Sequence, residues 1–265
     1  MFDNIIQRLG LLCKGRIGLQ QGGKCAIMVQ RQTTGGPDMR IIFVRHGHPN
    51  YEKDCLTELG HRHAEAVALR LKDEGVAAIY SSTCGRAFET AQHLGNLIGL
   101  PVVGCDFMRE IQWGDVDGKP YENGHPWTIV DEMIARGEPI MDMKWREHPG
   151  FRRNRLLDCC DKVAAGADAW LASLGYVREG QYYRVQGDTK RTIAAFGHGG
   201  ETAVMLTHLF NLPFPLACQA MGPDYTGITI VDFPDRPGEL AAPRFELMND
   251  ARHITGMTVE NFYGA

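Results

Sequence analysis

No stretch of this chain stays apolar over the roughly 18 residues that a membrane span requires, and its start lacks an apolar core followed by a small-residue cleavage site. Neither a membrane protein nor a secreted one is indicated, and a cytoplasmic location is expected. Basic residues are not in excess. Lys and Arg number 28 against 32 Asp and Glu, a formal net charge of −4, so the chain as a whole attracts neither nucleic acid nor an anionic membrane surface. The eight cysteines form no CxxC pair and no regular framework, and Cys159 and Cys160 are neighbours, between which a disulfide would be strained. They read as reduced thiols, in the core or on the surface. Internal repeats and low-complexity tracts are absent. What is present is ordinary for a globular protein: 265 residues, 44% hydrophobic and 23% charged, enough for one larger α/β domain or one domain with an insertion.

Residues 1–38 differ from the rest, with scattered Lys14, Arg16, Lys24 and Arg31 and a closing Thr-Thr-Gly-Gly-Pro, and read as a loosely attached N-terminal extension. Met39 precedes the first strong strand, so a later true start is a hypothesis. The domain proper spans 39–265. It opens with Arg40-Ile41-Ile42-Phe43-Val44, a β-branched apolar run typical of a buried strand. Thr57 then caps a helix in which Ala64, Val67, Ala68 and Leu71 recur at helical spacing until Gly75. Strands follow at 76–80 and 101–103, with a helix through Arg86, Thr90 and Leu94 between them. From about 115 to 185 the strand-helix rhythm lapses into a polar, aromatic and basic stretch with one helix near 156–174. This reads as an insertion able to cover a site. The rhythm resumes at Arg191-Thr192-Ile193-Ala194-Ala195-Phe196, a helix through Glu201 to Phe210, and strands at 227–233 and 244–248. Alternating strands and helices predict a three-layer α/β/α sandwich with a mainly parallel sheet, whose ligands bind beyond the carboxyl ends of the strands.

Two of those strand ends carry the same kind of group. Arg45-His46-Gly47 and Gly197-His198-Gly199 each set an imidazole just past a buried run, so in one parallel sheet both histidines reach the same edge. Zinc is the first alternative for paired histidines, but no third ligand stands at a recognised spacing such as HExxH, and Arg45 beside His46 repels a cation. Phosphate suits the residues better. Guanidinium forks of Arg45 and Arg86 bind its oxygens and stay charged, His198 can donate a further hydrogen bond, and the helix after Gly199 can add backbone N–H groups.

These pieces, together with Leu56-Thr57-Glu58-Leu59-Gly60, Ser81-Ser82-Thr83-Cys84-Gly85-Arg86-Ala87-Phe88-Glu89-Thr90-Ala91 and Arg109-Glu110-Ile111-Gln112-Trp113-Gly114, resemble the histidine phosphatase superfamily, the phosphoglycerate-mutase-like proteins. They run in that family's order from about residue 40 to about 250. The resemblance implies that His46 is the nucleophile of a phosphohistidine mechanism, that Arg45, Arg86 and His198 hold the phosphoryl oxygens, and that Glu110 is the general acid and base, with Gly199 and Asn50 also at the phosphate. The Glu-Ile-Gln-Trp-Gly context looks like the phosphatase-type acid segment rather than the mutase one, in which Arg and Tyr follow the acid. Many relatives have Ser or Thr three residues after the nucleophile and Asn six after it, where this chain has Pro49 and Glu52. That leaves substrate identity open. The expected activity is metal-independent hydrolysis of a small phosphorylated metabolite, with no cofactor. A phosphoglycerate mutase and an inactive phosphate-binding relative are the alternatives, and a homodimer is left open.

Other groups have plainer readings. Trp113, Tyr121, Trp127 and Trp145, with Arg146, Arg152, Arg153 and Arg155, either line the substrate mouth or, the commoner case, are packing and solvated surface. His48, His61, His63 and His93 read as exposed or helix-surface residues, and His253 as near the site without a chemical role.

Overall fold

The first strand, β1 (Met39–Arg45), is apolar from Ile41 to Val44 because both faces are covered there. Ile41 and Phe43 join one buried cluster, Ile42 and Val44 the other, as the two-residue period of a strand requires. The computed structural model describes residues 38–116, 124–187 and 189–259. The expected N-terminal extension lies outside these residues except for Asp38, and so does Tyr121.

After β1 comes a small ribbon, β2 (Pro49–Asn50) with β3 (Cys55–Leu56), then α1 (Glu58–Leu71), β4 (Val76–Ser82), α2 (Gly85–Ile98) and β5 (Val102–Cys105). The middle of the chain holds α3 (Pro126–Ala135), α4 (Leu156–Ser173) and the hairpin β6 (Tyr176–Glu179) and β7 (Tyr182–Val185). The remainder is β8 (Thr192–Gly197), α5 (Gly199–Phe210), α6 (Phe214–Ala220), β9 (Ile228–Phe233), β10 (Leu240–Ala241) and β11 (Arg244–Asp250).

Six strands form the central sheet in the order β11-β9-β1-β8-β4-β5. Neighbours among β1, β8, β4 and β5 are parallel, and β9 runs antiparallel to β1 and β11. On one face Val67 and Leu71 of α1 and Ala91 and Leu94 of α2 pack on Ile42, Ile79, Phe196 and Ile230. On the other, Val163, Ala167 and Leu171 of α4 and Val204 and Leu206 of α5 cover Ile41, Phe43, Ile193 and Val231. These are the three layers the sequence predicts.

The 115–185 stretch is more than cover, since α4 belongs to the same core as β1. The β2–β3 ribbon and the β6–β7 hairpin are too short to stand out in the sequence. Thr57 caps α1 as expected, its hydroxyl accepting from Gly60 N at 3.0 Å. His63 departs from the surface reading. It is 2% exposed, with Nε2 held 3.1 Å from Met257 O, because its face of α1 is covered by the segment after β11. No helix among the described residues is long and apolar enough to cross a membrane.

Candidate active site

His46 follows β1 and His198 follows β8. These two strands pair in parallel, with Arg45 opposite Gly197, so the imidazoles meet at one sheet edge with centroids 5.2 Å apart. Arg86 reaches the same edge from the first turn of α2. The close approach depends on glycine. A Cβ on Gly47 would fall 2.5 Å from Gly60 O, and one on Gly60 would fall 2.1 Å from His48 O, so the loop after β1 presses on the start of α1 only because neither residue has a side chain.

The hydrogen-bond pattern assigns the tautomers. His46 Nδ1 lies 2.7 Å from Gly47 O, and a carbonyl only accepts, so Nδ1 carries the proton and Nε2 keeps its lone pair. His198 Nε2 lies 2.8 Å from Ser82 Oγ, which accepts from Cys84 N at 3.1 Å. The buried Ser82 hydroxyl has His198 as acceptor for its own proton, which leaves Nδ1–H of His198 as a donor.

Eight buried side-chain nitrogens and oxygens lack a hydrogen-bond partner among the described residues, and four of them are Arg45 Nε, His46 Nε2, Arg86 Nε and His198 Nδ1. Buried polar atoms are almost always paired in native proteins, so four orphans brought to one edge by the end of β1, the start of α2 and the end of β8 mark a ligand site. Three are donors and one is a lone pair. That is the complement of a phosphoryl group, with oxygens for the donors and phosphorus for the nucleophile.

Neighbouring residues hold these groups in place. Asp54 Oδ1 accepts from Arg86 Nη1 at 2.5 Å and Oδ2 from Gly85 N at 2.9 Å. Thr90 Oγ1 accepts from Gly47 N at 3.1 Å and donates to Arg86 O at 2.7 Å, which ties the nucleophile loop to α2. Arg45 Nη1 donates to Pro223 O at 2.8 Å, and its guanidinium stands 4.5 Å from the Tyr225 ring centre. Tyr51 stands 5.4 Å from the Arg86 guanidinium. Sequence reasoning missed Asp54 and Tyr225. For Tyr225 a signal existed in principle: β9 is antiparallel, so the loop before it lands at the edge where the parallel strands end.

Glu110 approaches from the segment after β5. Its Oε1 accepts from Ile111 N and from Glu201 N in the first turn of α5, each at 3.0 Å. A Cβ on Gly200 would lie 2.7 Å from that oxygen, so the second glycine of Gly199-Gly200 makes room for the acid. Burial raises the Glu110 carboxyl above its usual range, against the lowering effect of these N–H groups. Glu201, fully buried behind it, is raised well above the carboxylate range by burial and by the charge of Glu110. Burial above all, helped by Arg45 and Arg86 and opposed by the bond to Gly47, pushes His46 down to about 3. His198 is likewise held neutral, chiefly by burial.

A cavity of about 260 Å³ opens beside this cluster, lined by Arg45, Glu110, Gly199 and Gly200 together with Tyr51, Trp113, His125 and Trp127. Gly199 thus lines this cavity. Asn50 keeps its Oδ1 on Lys53 N at 3.1 Å within the β2–β3 turn, and its neighbour Tyr51 is the ribbon residue that reaches the cavity. Trp145 is buried against Phe151 and Phe214, and Arg146 pairs with Asp161 at 2.6 Å; both are packing and surface. His253 Nε2 stands 3.0 Å from the hydroxyl of Thr226, whose N–H in turn meets His46 O at 3.3 Å. A larger cavity, about 720 Å³, lies among Glu132, Arg136, Glu138 and His148, where the charges pair with one another at 2.7 and 2.8 Å. Volume does not select the site; the orphaned donors do. Among the described residues, no group of three or more His, Cys, Asp or Glu side chains is arranged to hold a metal ion.

The family model of the histidine phosphatase superfamily (branch 1) matches residues 41–245. The chain is 29% identical over 150 residues to a protein named probable phosphoglycerate mutase GpmB from Yersinia pestis, covering 52% of this chain and 70% of that one. Among solved structures, it is similar to the mycobacterial glucosyl-3-phosphoglycerate phosphatase, with a TM-score of 0.55 and 25% identity over 79% of this chain and 98% of the other. It shares the fold of the Entamoeba histolytica phosphoserine phosphatase, with a TM-score of 0.53 and 21% identity over 82% and 99% of the two chains.

Proposed function

The chain belongs to the histidine phosphatase superfamily, and from that premise we propose that it is a phosphomonoesterase working through a phosphohistidine on His46, without a metal ion or cofactor. The observation that carries this reading is the set of orphaned atoms, three donors and one lone pair on Arg45, Arg86, His198 and His46. In the first step His46 Nε2 attacks phosphorus, the bond to the ester oxygen breaks, and the Glu110 carboxylic acid gives its proton to the departing alcohol. In the second, water attacks the phosphohistidine, passes a proton to the Glu110 carboxylate, and the P–N bond returns its electrons to Nε2. The arginines and His198 meet the charge on the equatorial oxygens in both steps, and each such donor contributes on the order of 10²–10³ in rate.

The Yersinia relative's name keeps a mutase in view. The phosphatase reading is preferred because Glu110 is followed by Ile-Gln-Trp-Gly and because the similar solved structures bear phosphatase titles. A small phosphorylated metabolite is the proposed substrate class. The six cysteines among the described residues are free thiols, which supports a cytoplasmic setting.

The pH profile tests the assignment. His46 is pushed down to about 3, so in free enzyme the nucleophile is already unprotonated well below pH 6. Activity is lost as pH rises through the raised value of Glu110, when the acid surrenders its proton. The kcat/KM profile therefore falls on its alkaline side as Glu110 ionises and has no limb set by an ordinary imidazole near pH 6.5. The phosphate ester also titrates near pH 6, so wild type is compared with Glu110→Gln, which loses the alkaline limb that belongs to the protein. An unchanged alkaline limb in that variant removes Glu110 from its role. Turnover is also expected to be insensitive to EDTA, whereas a loss reversed by a divalent cation would contradict metal independence.

A further inference from the structure

The cavity beside the nucleophile is walled by rings. Trp113 and His125 lie 5.0 Å apart with planes at 88°, and His125 and Trp127 lie 5.3 Å apart at 37°. A flat ring laid parallel to the His125 face thus meets Trp113 edge to face, and both arrangements are favourable between aromatic groups. Tyr51 closes the side toward Arg86.

Charge narrows the choice further. Among the described residues lining the cavity, Arg45 is the one cation, and its free Nε belongs with the phosphoryl-binding set. Glu110 is the one acid. Among the described residues a carboxylate on the leaving group finds no second guanidinium or ammonium group there and meets Glu110 instead.

Resting on the phosphatase reading above, we propose that the alcohol released from this site carries an uncharged aromatic ring, seated in the corner of Trp113, His125 and Trp127. The preferred substrate is an aryl-bearing phosphate monoester rather than a phosphorylated hydroxy or amino acid. A free aromatic alcohol and a phosphotyrosine side chain offer the same chemistry.

The test compares kcat/KM for benzyl, cyclohexylmethyl and n-butyl phosphates, whose alcohols are comparably poor leaving groups, with 3-phosphoglycerate, phosphoserine and a phosphotyrosine peptide. Benzyl phosphate is expected to exceed n-butyl phosphate by about 10-fold or more, the value of one good ring contact. Cyclohexylmethyl phosphate should fall between them, and the two carboxylate-bearing esters below n-butyl phosphate. Trp127→Ala and Trp113→Ala should each collapse the benzyl to n-butyl ratio toward one, and Trp127→Phe should restore much of it. Because the readout is a ratio within each variant, a partly folded preparation does not imitate the effect. Phenyl phosphate, whose leaving group matches that of tyrosine, separates the two sources: phosphotyrosine-peptide turnover above that of phenyl phosphate assigns a protein side chain, and turnover below it a small alcohol. Carboxylate-bearing esters that match or exceed benzyl phosphate overturn the inference, as does a ratio indifferent to both tryptophans. In either case the phosphatase reading stands, whereas failure to hydrolyse any ester sinks that reading and this inference together.

Discussion

Replacing His46 with alanine is expected to lower kcat/KM by at least about 10⁴-fold, since removal of a nucleophile takes away the whole covalent route. Accumulation of phosphoenzyme should cease with it. The variant should nevertheless still bind the product anion, because Arg45, Arg86 and the Ser82-oriented His198 are supported by other elements: Pro223 O, Asp54 and the end of β4. Stabilisation by inorganic phosphate in a thermal shift assay checks this. Retained binding with lost turnover is the result that separates a missing nucleophile from a damaged site. If the alanine variant kept substantial turnover, His46 would be an anion ligand and attack would have to come from elsewhere.

The second large effect concerns the leaving group. Glu110→Gln is expected to slow hydrolysis of an alkyl ester such as n-butyl phosphate by about 10²- to 10⁴-fold, the usual contribution of a placed general acid. For p-nitrophenyl phosphate the loss should be far smaller, because nitrophenolate departs without a proton. Glutamine preserves the acceptor oxygen that meets the N–H groups of Ile111 and Glu201, so the change removes the proton and little else. Equal losses on the two esters would mean that Glu110 supports the start of α5 rather than the reaction.

Much of this site was legible because it is built on strand ends. An apolar run such as Ile41 to Val44 buries both faces, and a parallel neighbour such as β8 fixes which edge its last residue reaches. The placement of His46 and His198 follows from those two facts. Arg86 was legible from its position in the first turn of a helix leaving the same edge. Thr57 was legible as a cap because its hydroxyl acts within its own turn.

The supporting residues were not legible, and the reason is their range. Asp54 reaches Arg86 across 32 positions, and Arg45 finds its carbonyl 178 positions away; no local period encodes such a meeting. Trp113 and Trp127 were named as one reading of the substrate mouth, but that they share a corner with His125 is no matter of local spacing. His63 was misplaced because amphipathic spacing tells which face a helix residue occupies, not what a distant segment later lays over that face. Glu201 sat unremarked in the motif, although as third residue of α5 it lies behind Glu110 and within reach of the His198 N–H, 3.4 Å away.

The most direct test of the account is to trap the covalent species. Enzyme mixed with a rapidly cleaved ester, quenched in alkali within one turnover and digested, should yield a phosphorylated peptide with the label on His46, and the label should be stable in alkali and lost in acid. A label on His198, on a carboxylate or on a hydroxyl would contradict the mechanism, and so would rapid turnover with no labelled enzyme at any time.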